Sequence, residues 1–167
     1  MNVTVALVLR GAVIGASATA VLDLWIVLLK RLFGLPSRDW ALVGRWVGYF
    51  PRGQFVHARI AAAAPIRNEL ALGWAFHYFV GALYGVVLLA IWGETWARQP
   101  TLLPALVVGL VSLSAPFFIM DPALGSGIAA SKSANPNAAR LRGVVNHVVF
   151  SMGLYVSGWL AEGLLRA

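Results

Sequence analysis

The 167-residue chain contains no cysteine, and only 11% of its residues are charged. The lack of cysteine excludes disulfide bonds, thiolate metal ligands and cysteine nucleophiles. The low charged fraction excludes an ordinary water-soluble domain, in which about 25% of residues carry charge. With 60% hydrophobic residues, the chain is also too apolar to stay disordered in water. These absences leave an integral membrane protein as the class that fits.

The chain also lacks the short motifs that signal common enzymes. It has no P-loop, no serine nucleophile elbow, no zinc-protease helix and no paired catalytic carboxylates. The spacing Gly125-x-Gly127-x-x-Ala130 superficially matches a dinucleotide fingerprint, but no strand precedes it. We therefore expect a non-enzymatic protein.

Four stretches are long and apolar enough to cross a bilayer, which takes about 20 residues. They cover about residues 11–29, 70–92, 101–120 and 143–165 of a single integral membrane domain spanning 1–167. The pattern predicts an all-α membrane protein with four transmembrane helices.

Lysine and arginine are divided unevenly between the two sides of the membrane. Ten of the 13 fall in the loops 30–69 and 121–142, against Arg10, Arg98 and Arg166 on the other side. Because cytoplasmic loops carry such an excess, we expect both long loops in the cytoplasm of a bacterial inner membrane and both termini outside. Near the outer end of the fourth span, Glu162 is expected to reach the interface or to pair with Arg166.

The net charge of +7 is explained by anionic lipid headgroups at the cytoplasmic face, and we do not expect nucleic acid as a partner. The first long loop is predicted to contain a short interfacial amphipathic helix between Pro36 and Pro51. Its apolar residues recur at helical spacing: Trp40, Val43, Trp46, Val47 and Phe50. Arg38 and Arg45 are expected together on another face, against lipid phosphates. A second helical piece is expected at about 54–64, with His57 in solvent.

Each predicted span carries one ionisable residue toward its cytoplasmic end, namely Asp23, His77, Asp121 and His147. Charged groups in a bilayer are expensive, and they usually face the interior of the helix bundle. If the helices pack as a bundle, the four residues converge in one polar pocket. The residues expected around that pocket are Arg45, Tyr84, Asn146 and Tyr155.

Several interpretations of this pocket stay open. A hydrogen-bonded Asp–His pair would lock the helices together. A proton or ion site is the next alternative, because histidine titrates near neutral pH and burial raises the pKa of an aspartate. Two histidines and two carboxylates also suit a divalent first-row metal. A haem held between His77 and His147 is a further alternative, although we predict no cofactor.

Two glycine pairs, Gly11 with Gly15 and Gly81 with Gly85, have the four-residue spacing that lets membrane helices approach closely. In an accessory or scaffold subunit, these glycines would pack against a larger membrane complex. In a small transporter or ion-handling protein, acting as a homo-oligomer or within a complex, Asp23 and His77 would be the titrating pair. We favour the transport-like function by a small margin, with a metal or haem protein third.

Short segments spread along the chain carry a family resemblance. They are the run Ala18-Thr19-Ala20-Val21-Leu22-Asp23-Leu24-Trp25, then Gly44-Arg45-Trp46, His77-Tyr78, residues 122–131, and Asn146-His147 with Gly153-Leu154-Tyr155. In order and loop length they resemble an uncharacterised bacterial inner-membrane family, domain of unknown function 2938, over nearly the whole chain. The resemblance implies a small multi-pass membrane protein, and it carries no activity, substrate or catalytic residue.

Overall fold

The computed structural model describes the chain from Asn2 to Arg166, with side chains as far as Leu164. All regular structure in this part of the chain is helical: α1 (Val3–Phe33), α2 (Trp40–Gly48), α3 (Glu69–Arg98), α4 (Leu102–Ser112), α5 (Asp121–Ala123) and α6 (Pro136–Arg166). Four helical segments are long and apolar enough to cross a membrane, namely α1, α3, Leu102–Ala123 and α6. The predicted all-α architecture with four membrane helices is confirmed.

The membrane helices are longer than the apolar stretches that predict them. α1 has 31 residues because its helical hydrogen bonds continue beyond the apolar part, whereas α3 spans 30 residues but is interrupted at Gly93, whose φ of 65° and ψ of −160° are not helical. Asn2 caps the start of α1 by accepting a hydrogen bond from the Thr4 amide at 3.0 Å. Gly34, at φ 65°, ends the helix in the left-handed conformation that favours glycine.

The third membrane segment changes its helical pitch at a proline. Residues Ala115–Met120 form a π-helical stretch in which the Asp121 amide donates to the Pro116 carbonyl. Proline removes a backbone donor, and the wider π turn absorbs the irregularity without ending the segment. The helix then resumes as α5, so the segment as a whole runs from Leu102 to Ala123.

The chain forms two compact units. The first, here called the helix unit, contains the chain up to Pro36, Tyr78–Ser112 and the chain from Val145 onward. Its fully buried core side chains include Ile14, Leu88 and Leu154. The second, here called the loop unit, is built on a smaller apolar core that contains Val43, Trp46, Ile60, Ala123 and Leu124.

The loop unit comprises Ser37–His77 and Leu113–Val144, so it brings most of the two long loops together. Two main-chain hydrogen bonds join them: the His57 amide donates to Ala123 O at 2.8 Å, and the Ile60 amide donates to Leu124 O at 3.2 Å. The two loops therefore fold as one structure, although each is predicted separately from sequence.

The second predicted helical piece, at about 54–64, is wrong. Only a single 3₁₀ turn forms there, at Ile60–Ala62, because backbone groups on either side of Arg59 bond to the other loop. The prediction of a solvated His57 is also wrong, since this residue is only 6% exposed. A tertiary contact has here overridden the local preference of an alanine-rich segment.

The helix predicted between Pro36 and Pro51 is present as α2, and its position at a membrane surface stays a prediction. Asp39 caps it by accepting a hydrogen bond from the Ala41 amide at 2.9 Å. Arg38 precedes the helix, so it does not share a helical face with Arg45 as expected from their spacing.

Candidate functional site

The two glycine pairs lie against one another in the helix unit. A Cβ atom added to Gly15 would be 2.1 Å from Gly81 O, and one added to Gly85 would be 2.1 Å from Gly11 O. α1 and α3 are therefore in main-chain contact, which only residues without a side chain permit. The two glycine pairs thus serve the packing of α1 against α3 within the chain.

Asp23 continues the same side of α1 toward the loop end of the helix. Its carboxylate accepts a hydrogen bond from the Tyr78 hydroxyl of α3. One turn earlier, Thr19 is 1% exposed, and its hydroxyl donates to Gly15 O at 2.9 Å. The structure thus places an ionisable side chain of a membrane helix against a neighbouring helix, as an expensive intramembrane charge requires.

His147 belongs to the same unit, where α6 packs closely on α4. A Cβ atom on Gly109 would be 3.1 Å from the His147 carbonyl oxygen, which also accepts a hydrogen bond from Ser151 Oγ at 2.7 Å. Tyr84 and Tyr155 pack against the apolar core of this unit. These two tyrosines therefore have a packing role here.

Asn146, the neighbour of His147 on α6, is the last of the residues expected around the polar pocket. Its Oδ1 atom is buried and has no hydrogen-bond partner among the described residues.

His77 lies in the loop unit, among aromatic rings. Its imidazole centroid is 4.0 Å from the ring of Trp40, at an interplanar angle of 30°, and 5.8 Å from the ring of Trp74. α2 reaches this position because two glycines remove the steric barrier: a Cβ atom on Gly73 would be 1.8 Å from Trp40 O, and one on Gly44 would be 2.6 Å from Gly73 N. The observed environment of His77 is thus an indole face.

Asp121 lies in the loop unit as well and pairs with Arg38, at 3.2 Å between Oδ1 and Nη2. Asp23 and His147 thus belong to the helix unit, whereas His77 and Asp121 belong to the loop unit. Within the part of the chain that the structure describes, no three His, Asp or Glu side chains are grouped so as to hold a metal ion. Convergence of the four residues stays a prediction.

Arg45 is not directed to lipid phosphates but to a carboxylate, Glu69, that sequence reasoning missed. Arg45 Nε lies 2.9 Å from Glu69 Oε2, and Arg45 Nη2 lies 2.8 Å from Glu69 Oε1. Nη1 donates to Ala63 O at 2.9 Å, and the Ile66 amide donates to Glu69 Oε2 at 3.1 Å. The bond to Glu69 raises the pKa of Arg45 above its already high ordinary value, so this guanidinium is permanently charged.

One signal for Glu69 was available in the sequence. It is the only acidic residue between positions 40 and 93, and Asp39 is the only other one in the basic loop 30–69. The 24-residue separation from Arg45 hides the pairing from any helical periodicity.

A second ion pair joins α1 to α6 in the helix unit. Arg10 Nη2 lies 2.6 Å from Glu162 Oε2, with side chains 15% and 10% exposed, and it also donates to Ala97 O. Glu162 is therefore buried with Arg10 and does not reach for the interface. The predicted partner, Arg166, has a side chain outside the described part of the chain.

Comparison with known proteins places the chain in one family. No curated protein and no solved structure matches it. The sequence model of the family described as "Protein of unknown function (DUF2938)" matches residues 12–161. The matched region runs from the first membrane helix to the last, and it contains Asp23, Arg45, His77, Asp121 and His147. The chain therefore belongs to this family of proteins of unknown function.

Proposed function

We propose that this protein is a non-enzymatic, transport-like protein of the bacterial inner membrane that handles a proton or small ion at Asp23. The observation that carries the proposal is the position of Asp23 in a membrane helix, where it accepts a hydrogen bond from Tyr78 of α3. Ionisable residues are rare inside membranes because they are costly, and those that are kept usually line ion or proton pathways. A carboxylate held by a hydroxyl can release and accept a proton.

The packing of the glycine pairs favours this function over that of an accessory subunit. A subunit that docks through Gly11, Gly15, Gly81 and Gly85 would present them to a partner helix. Here they are already in contact with one another, with hypothetical Cβ atoms 2.1 Å from carbonyl oxygens. The feature that favoured a scaffold is therefore accounted for inside the chain.

A flux assay on the purified protein tests the proposal. The protein is reconstituted into vesicles that contain a pH-sensitive dye, and a potassium diffusion potential drives proton entry. A parallel arm uses a sodium-sensitive dye and an inward sodium gradient. We expect flux from the wild type and at least a tenfold loss in Asp23→Asn. Glu94→Gln is the matched control, because it also removes one carboxylate but at a side chain that is 53% exposed.

Two results contradict the proposal. Wild-type protein that keeps a cooperative thermal transition but carries neither proton nor sodium current would refute ion handling. A stoichiometric co-purifying subunit would then favour the accessory function. A Soret band or stoichiometric metal in the purified protein would instead favour the metal or haem alternative, with His77 and His147 as the ligands to mutate first.

The orientation of the chain in the membrane can be tested separately. Because the chain contains no cysteine, a single introduced cysteine is its only reactive thiol. We propose that the long loops are cytoplasmic, since they hold ten of the 13 basic residues. Arg67→Cys should therefore resist a membrane-impermeant thiol reagent in intact spheroplasts, whereas Gln99→Cys should react. The reverse pattern would invert the topology.

A further inference from the structure

The loop unit contains a cleft of about 290 Å³ whose wall carries three basic side chains, Arg38, Arg59 and Lys132. Asp39 is the only carboxylate among the lining residues, and Ser126 adds a hydroxyl group. The lining therefore has a net positive charge. A cleft lined by one sign of charge concentrates its electric field and attracts ions of the opposite sign.

We propose that this cleft binds a phosphate-bearing ligand, with Arg59, Lys132 and Ser126 as its main contacts. The site is independent of the ion site proposed at Asp23. Guanidinium and ammonium groups donate strong, charge-assisted hydrogen bonds to phosphate oxygens, and a hydroxyl group can complete the coordination.

The fold fixes the main chain of the residues that would make these contacts. Arg59 lies between the His57 and Ile60 amides, both of which bond to the second loop. The Lys132 amide donates to Ser126 O at 2.9 Å, which ties the two ends of that loop segment together. These bonds bring charges from two distant parts of the sequence to one cleft before any ligand arrives.

The charges around the cleft are not all neutralised by the protein itself. Arg38 is paired with Asp121, and the Asp39 carboxylate accepts a hydrogen bond at the start of α2. Arg59 and Lys132, in contrast, form no ion pair with any residue that the structure describes. An anionic ligand would relieve the repulsion between these two exposed cations.

The volume limits the size of the ligand. At about 30 Å³ for each water molecule in the liquid, 290 Å³ holds a phosphate group together with a small polar substituent. This volume is just below the usual range for small-molecule pockets, about 300–1,000 Å³. A phospholipid headgroup and a small soluble phosphate ester share this chemistry.

Binding to the full-length protein in a non-ionic detergent tests the proposal and separates these two sources. Glycerol 3-phosphate and a short-chain phosphatidylglycerol are titrated at fixed ionic strength, and affinity is read from the shift in the thermal transition. We expect saturable binding of at least one of them. Binding of the lipid alone would identify a headgroup site, and binding of glycerol 3-phosphate would identify a site for soluble ligands.

The variant Arg59→Gln/Lys132→Gln should weaken binding at least tenfold. The matched control, Arg52→Gln/Arg67→Gln, removes two positive charges from the same loop unit but outside the cleft, and it should stay within twofold of the wild type. Lys132→Gln alone repeats the test if the double variant does not fold. If both double variants weaken binding equally, the loss follows from net charge alone and the proposal is overturned. The proposal is also overturned if neither compound shows saturable binding.

Discussion

Removing one partner of the Arg45–Glu69 ion pair should lower the free energy of unfolding at least as much as removing both partners. Two parallel hydrogen bonds of 2.9 and 2.8 Å join the side chains, which are 10% and 18% exposed. Breaking a buried pair on one side typically costs 3–5 kcal/mol, because the remaining charge stays buried without its counterion. Replacing the whole pair by apolar residues often costs little.

The structure ranks the two single variants. Glu69→Leu leaves a guanidinium that keeps only main-chain acceptors such as Ala63 O, and we expect a loss of about 3 kcal/mol. Arg45→Met leaves a carboxylate that still accepts from the Ile66 amide, and we expect about 2 kcal/mol. The double variant should still lose about 2 kcal/mol, because Ala63 O and the Ile66 amide lose their hydrogen-bond partners. This loss is about 3 kcal/mol below the sum of the single losses.

Denaturant unfolding in detergent, followed by tryptophan fluorescence, measures these differences. Trp46 is a suitable reporter because it is 6% exposed and its indole donates to Phe55 O at 2.7 Å within the loop unit. The Glu94–Arg98 pair is the control, since its contact distance is similar, at 2.7 Å, but both side chains are exposed. The coupling energy of that pair should not exceed about 0.5 kcal/mol, because water screens the two charges. Additive losses for Arg45 and Glu69 would refute the reasoning.

Three further predictions concern single buried residues. Gly15→Ala should lower the thermal transition temperature, because its Cβ atom would be 2.1 Å from a carbonyl oxygen of α3. In the control Gly163→Ala, the Cβ atom meets nothing within 4 Å, and the transition temperature should not change. Equal effects of the two substitutions would contradict close contact between α1 and α3. His57→Phe should preserve or raise stability, by up to about 1 kcal/mol, because both buried ring nitrogens lack a described hydrogen-bond partner; a large loss would reveal a polar role. Glu162→Gln should destabilise by about 1–2 kcal/mol, since it weakens the buried pair with Arg10, and unchanged unfolding would show that pair to be dispensable.

Local sequence patterns predict that a segment forms a helix and which of its faces can pack closely, but they do not identify the partner of that face. The glycine spacing in α1 and in α3 marks each helix as one that can pack closely, and these two helices contact each other. The aromatic residues between Pro36 and Pro51 likewise predict α2. The pairing of Arg10 with Glu162 spans 152 residues, so no periodicity in the sequence points to it.

The helix predicted at about 54–64 does not form for a related reason. Its alanines favour a helix in isolation, but the amide groups of His57 and Ile60 bond to a loop more than 60 positions away. Burial of His57 follows from the same contact, and nothing local distinguishes this histidine from a solvated one.

By itself, the sequence determined that this is an all-α protein with four membrane-crossing helices, because apolarity and length act on each segment separately. Tertiary structure alone decided which charged side chains are paired and that the two long loops fold together as one unit. Arg45 forms an ion pair with Glu69 and not with lipid phosphates. Arg59 and Lys132 line the same cleft. Such pairings depend on the path of the whole chain, since the cost of a buried charge is offset only by a partner that folding brings to it.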